Sequence, residues 1–123
     1  MNYNFFSVII GKSGSGKTSL LINFLSDRKI YKRVFDKIIL CIPEHSYNNM
    51  KKFESYLQSV TDIDWIIVRP SRLIDTPLTG VYRVSARYAP KGGSKISRAD
   101  LAQFMLKQLN SGEWLRKTPT LTY

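Results

Sequence analysis

The sequence predicts a three-layer α/β/α sandwich with a mainly parallel sheet and a P-loop between the first strand and the first helix. Three observations carry the prediction. Short β-branched apolar runs, at residues 5–10, 37–42 and 65–68, alternate with segments whose apolar residues recur at helical spacing. A Gly/Ser/Lys turn, Gly11-Lys12-Ser13-Gly14-Ser15-Gly16-Lys17-Thr18, sits between the first apolar run and the first helical segment. The chain of 123 residues, 43% apolar and 12% aromatic, has the size and composition to bury one core.

Taken in order, Phe5 to Ile10 reads as a buried strand that stops at Gly11. From Lys17, Leu20, Leu21, Phe24 and Leu25 give a helix that ends at Asp27-Arg28-Lys29. Lys37 to Ile42 is a second strand, closed by Pro43, which has no N–H for a central ladder. Met50, Phe53, Leu57 and Val60 mark a second amphipathic helix, begun near 46–49. Trp65 to Val68 is a third buried strand, Leu73 to Gly80 a loop, Val81 to Ser85 a short strand, and Pro90 to Gly93 a turn. Ser97 and Asp100 have the spacing of a capping box, which opens a helix through Asn110 with Leu101, Phe104, Met105 and Leu109 on one side. A last short strand is expected in residues 119–123. Without repeats or a long linker, the chain is expected to be a single α/β nucleotide-binding domain.

Gly11 to Thr18 satisfies G-x-x-x-x-G-K-[ST] at each fixed position. Glycines allow the backbone to wrap a phosphate with its N–H groups inward, and the following helix N-terminus adds partial positive charge. Lys17 is then expected on the β- and γ-phosphates and Thr18 on Mg²⁺, which makes ATP or GTP with Mg²⁺ the expected ligand. Ser13 and Ser15 add hydroxyls, and Lys12 adds charge. The dinucleotide fingerprint is the rival for the same turn: Gly11 and Gly14 supply its first two glycines, but Lys17 stands where its third small residue belongs. Glu44, near the end of the second strand, is the candidate both for a catalytic acid and for a ribose ligand. Arg69 and Arg72 follow the third strand, either solvated or within reach of a bound phosphate. His45, the one histidine, reads as a surface residue, and Cys41 as a small buried hydrophobe with no partner for a disulfide.

The net charge of +10 admits nucleic acid as a partner, but it is spread evenly, with +5 in residues 1–60 and +5 in residues 61–123; a merely solvated basic surface is the alternative. No apolar run is long enough to span a bilayer and no cleavage-site pattern opens the chain, so a soluble, cytoplasmic protein with no membrane partner is expected.

Two resemblances meet in this chain. Phe6 to Asn23, continued by Phe35-Asp36-Lys37-Ile38-Ile39-Leu40, resembles the opening of viral genome-packaging P-loop ATPases of the poxvirus and giant-virus type; the resemblance implies ATP, Mg²⁺ and a DNA-translocating motor. Asp64 to Pro70, Asp75 to Val84 and Ile96 to Leu106 are similar to the C-terminal part of biliverdin IXβ reductase-like or flavin reductase-like atypical short-chain dehydrogenases, which implies a Rossmann fold and NAD(P). Together they imply a recombinant, an engineered chimera or a much reduced relative, with a P-loop NTPase-like half in residues 1–47 and a short-chain dehydrogenase-like half in residues 48–123. No strand here ends in the Walker B carboxylate that orders Mg²⁺, so the expected activity is binding of ATP or GTP phosphates with weak or no hydrolysis. The alternatives are an NAD(P)-binding reductase-like domain, or a designed or chimeric scaffold without activity.

Overall fold

The computed structural model describes residues 37–42, 47–59 and 64–123. Eight elements follow in order: β1 (Lys37–Cys41), α1 (Tyr47–Ser59), β2 (Asp64–Pro70), β3 (Arg72–Ile74), β4 (Arg83–Ser85), β5 (Lys95–Ser97), α2 (Arg98–Gln108) and β6 (Thr120–Thr122). The main sheet has the order β1-β2-β6-β4, in which β1, β2 and β6 are parallel and β4 is antiparallel to β6. β3 and β5 form a separate parallel pair. The expected parallel pairing of 37–42 with 65–68 is present, with Ile38 opposite Trp65 and Leu40 opposite Ile67. The strand expected at 5–10, the P-loop and the first helix lie outside the described residues.

The layering follows from the alternation of side chains along β2. Trp65 and Ile67 pack with Leu57 of α1 and with Ile38, Leu40 and Ile42 of β1 and its exit. Ile66 and Val68 point to the other face, with Leu101 and Phe104 of α2, Ile96 and Leu121. One strand thereby feeds two cores, and its continuous apolar run is what burial on both faces requires. Each of Ile66, Ile67 and Val68 is fully buried and contributes about 1.5–3 kcal/mol by leaving water.

Three sequence expectations are corrected here. Residues 73–80 are not wholly loop, because Arg72–Ile74 pairs with Lys95–Ser97; three-residue strands are too short to carry a period. Leu109 is exposed, while Gln108 takes the buried place at the end of α2 and donates from its amide to the Phe104 carbonyl at 3.2 Å. Cys41 is exposed at the end of β1, where the strand leaves the core.

Two polar devices fasten α2. At its end, the Lys37 ammonium donates to the carbonyls of Gln108, Leu109 and Ser111 at 2.9, 3.1 and 3.0 Å. A cation on the free carbonyls of a helix C-terminus satisfies them and opposes the helix dipole. At its start, the Ser97 hydroxyl accepts from the Asp100 N–H at 3.0 Å, as a cap should. The expected box is only half made, because the Ser97 N–H donates to the Tyr123 hydroxyl instead. The Asp100 carboxylate, completely buried, accepts from the Thr79 and Gly80 N–H groups at 3.0 and 2.7 Å and from three hydroxyls. Those are Thr79 at 2.9 Å, Ser97 at 2.8 Å and Tyr123 at 2.5 Å. Burial on its own would raise the carboxyl pKa. The hydrogen bonds from Tyr123, Gly80, Ser97 and Thr79 overcome it and hold the group far below its ordinary value. Gly80 has φ +69°, a conformation that suits glycine and turns its N–H onto Asp100.

Replacing Asp100 with Asn is expected to lower stability by about 1.5–3 kcal/mol, the worth of a hydrogen bond to a charged group, in urea unfolding at neutral pH. Because the folded-state pKa is depressed, the carboxylate's contribution is present above about pH 4 and is lost as pH falls further, so the Asn variant should show a shallower acid limb. A Cβ on Gly93 would stand 2.2 Å from Cγ2 of the buried Thr122, whereas one on Gly112 meets nothing closer than 3.7 Å. Gly93→Ala is therefore expected to cost about 1–3 kcal/mol by overpacking, and Gly112→Ala to be close to neutral, in the same assay.

Candidate functional site

In an open parallel sheet, ligands are received outside the carboxyl ends of the strands, where loops diverge and the strand-end groups face outward. Here that edge is made by Cys41 and Ile42 after β1, Pro70 and Ser71 after β2, and Thr122 and Tyr123 at the end of β6. Its backbone is well ordered by pairing: the Ile42 N–H donates to the Val68 carbonyl at 2.9 Å, and the Ser71 N–H to the Leu121 carbonyl at 3.0 Å. Behind it, the buried Ser71 hydroxyl donates to Thr122 Oγ1 at 3.1 Å. These hydroxyls serve the sheet, joining the exits of β2 and β6.

Arg69 is neither of the things expected of it. Its guanidinium pairs with Glu54 of α1, and both side chains are less than one-fifth exposed. An ion pair so shielded from water fixes α1 against β2 beside the carboxyl edge, and losing either partner would strand a charge. Arg72, by contrast, is exposed at the start of β3.

Residues 75–81, which follow β3, are exposed throughout yet tied down at Thr79 and Gly80 by Asp100. Beyond them Tyr82 turns inward and meets the Phe104 ring edge-on, with centroids 6.1 Å apart. Partial burial, and then the negative charge of Asp100, raise the Tyr82 pKa, so its phenol stays protonated through the neutral range. A polar cluster of Asp100, Tyr123, Ser97 and Thr79 thus positions the exposed segment next to the strand ends. The sequence shows one sign of it, the Ser97-to-Asp100 spacing; nothing local marks Thr79 or Tyr123 as partners.

Of the residues singled out from the sequence, Gly11, Lys12, Ser13, Gly14, Ser15, Gly16, Lys17, Thr18, Glu44 and His45 lie outside the described residues. Among the described residues no group of His, Cys, Asp and Glu could hold a metal ion, and no helix is long and apolar enough to cross a membrane.

A family of domains described as NAD(P)H-binding matches residues 23–112, well over half of the chain. Solved structures agree in fold. A protein of Burkholderia pseudomallei provisionally named as exported superposes with a TM-score of 0.72 at 18% identity, over 91% of this chain and 66% of that one. A Rossmann-fold NAD(P)-binding family protein from Shigella flexneri gives 0.64 at 15% identity, over 91% and 57%. A protein of Bacillus halodurans, provisionally named as an NAD-dependent epimerase/dehydratase, gives 0.66 at 22%, over 89% and 58%. The chain thus spans 57% to 66% of the length of these three structures. No protein of curated function matches the sequence.

The family match corrects the main functional expectation. The family is described as NAD(P)H-binding, so ATP or GTP with Mg²⁺ on a packaging-ATPase P-loop is not supported. The resemblance to packaging ATPases is not supported, whereas the NAD(P) alternative is. Both ligands use a strand, a glycine turn and a helix, so the turn read alone could point to either. The chain, with its Rossmann-like α/β fold and mainly parallel sheet, belongs to the NAD(P)H-binding family.

Proposed function

We propose that this chain is a single nucleotide-binding domain that holds NAD(P) at the carboxyl edge of its parallel sheet, in a reductase- or epimerase-like protein. The observation that carries the reading is the family match over residues 23–112, supported by a parallel β1-β2-β6 arrangement whose strand ends share one edge. In this reading Gly11, Gly14 and Gly16 shape the turn that approaches the dinucleotide pyrophosphate. Lys12 and Lys17 supply charge to it, and Ser13, Ser15 and Thr18 supply hydroxyls. Lys17, at the place of a third small residue, distinguishes this turn from the usual dinucleotide fingerprint, and in this reading its charge is directed at the phosphates. Glu44, after β1, is the residue proposed for a ribose hydroxyl. The bound nicotinamide would supply hydride chemistry; the chain's part is to bind and orient it.

Titrating the purified chain with NADPH, NADH and ATP·Mg²⁺, followed by quenching of Trp65 and Trp114 fluorescence, tests the assignment. Saturable binding of a nicotinamide dinucleotide is expected, weakened in Lys17→Ala by about 1.5–3 kcal/mol, as for one lost charge-assisted contact. Tighter binding of ATP·Mg²⁺ than of either dinucleotide, or a Lys17→Ala variant with undiminished dinucleotide affinity, would refute it.

A further inference from the structure

Positive charge, evenly divided between the halves of the sequence, is concentrated in the fold. From Thr76 to Ala99 the chain has Arg83, Arg87, Lys91, Lys95 and Arg98, and no Asp or Glu. Arg98 is set apart by its ion pair with Asp75, at 2.5 Å. The other four are exposed, and Arg72, also exposed, joins them because its backbone lies opposite Lys95 across the β3–β5 pair. Hydrogen bonds gather Arg72, Arg83, Lys91 and Lys95 into one region, and Arg87 lies on the short segment between Arg83 and Lys91. The Arg83 guanidinium donates to the Lys91 carbonyl at 3.0 Å and to the Tyr123 carbonyl, and the Tyr123 N–H donates to the Lys95 carbonyl at 3.0 Å. Among the described residues no Asp or Glu side chain forms an ion pair with any of these five cations. Beside Arg87 stands Tyr88, 81% exposed, the most exposed of the large apolar and aromatic side chains described.

Clustered like charges repel, and a surface that keeps them without carboxylates is at its most stable with an anionic partner. The cations are solvated and distributed over three strands, β3, β4 and β5, and the turn between β4 and β5. That arrangement suits a flexible polyanion whose phosphates neutralise them one after another, more than a compact anion that needs converging, buried donors. An exposed aromatic ring among cations offers a face on which an unpaired base can stack.

We propose that the face formed by Arg72, Arg83, Arg87, Tyr88, Lys91 and Lys95, which adjoins the dinucleotide edge at Tyr123, binds single-stranded nucleic acid through its own side chains. The cations take the phosphates and Tyr88 takes a base. Fluorescence anisotropy with a labelled single-stranded oligonucleotide of about 20 nucleotides, over a salt series starting near 50 mM, tests it. Affinity should fall linearly on a log–log plot, and the Arg87→Ala/Lys91→Ala double variant should have a slope shallower by about 1.4, from about 0.7 per lost phosphate contact. Tyr88→Ala should weaken binding about tenfold with the slope unchanged, and Tyr88→Phe should restore it. NADPH titration of the same variants should match the parent chain, which separates a failure of this face from a failure of the dinucleotide assignment. No binding at the lowest salt, a double variant with the parental slope and affinity, or equal affinity for the duplex form of the oligonucleotide would overturn the proposal.

Discussion

Burial of β2 on both faces sets the arrangement of the other described elements. A strand with Trp65 and Ile67 on one side and Ile66 and Val68 on the other needs an apolar cover over each, and α1 and α2 provide them from opposite layers. Its two edges carry backbone groups that cannot be left unpaired in such surroundings, so β1 occupies one and β6 the other. Where that sheet ends, its regular pairing gives way to diverging chain, and the region proposed for the dinucleotide is the place where this happens on three adjacent strands.

Polar interactions then determine how the remaining pieces are attached. Lys37 joins the start of β1 to the end of α2, Arg69 and Glu54 join α1 to β2, and Asp100 joins the start of α2 to the 79–80 segment and Tyr123. Each fastener uses a charged side chain to join two different elements, and in the Arg69–Glu54 pair the loss of one partner would leave a charge without compensation. This division of labour explains how an exposed stretch such as 75–81 keeps a defined place although little of it is packed against a core.

The sequence exposed some of this and concealed the rest, for reasons that differ by residue. β1, β2, α1 and α2 were readable because their apolar periods run for long enough to exclude the other state. β3 and β5 are not, since each is held by pairing with the other across more than twenty positions, which no local pattern announces. Leu109 was misplaced because helical spacing names a stripe without saying where the helix leaves the core. Apolar neighbours suggest that Cys41 is buried, but burial falls off at the last residue of β1 and leaves it exposed. The ligand was misjudged for a chemical reason: a phosphate presents the same oxygens whether it belongs to a triphosphate or to a dinucleotide, so a glycine turn and a lysine identify the phosphate and not the molecule. The region that tells the two apart is the longer pattern over residues 23–112.

The position of β6 between β2 and β4 has a consequence for the order in which the molecule is assembled. Among the described residues β4 has no neighbour in the main sheet except β6, and β6 is the last of the described elements to be synthesised. Until Thr120–Thr122 emerges, β2 lacks the described partner of its inner edge and β4 lacks the one described strand it pairs with. A nascent chain on the ribosome therefore spends the interval with a bare apolar edge in the middle of its future sheet, the kind of edge that recruits other strands. Closure depends on contacts between residues about fifty positions apart, Arg69 with Thr120 and Pro70 with Leu121, so it is slow compared with the formation of either helix.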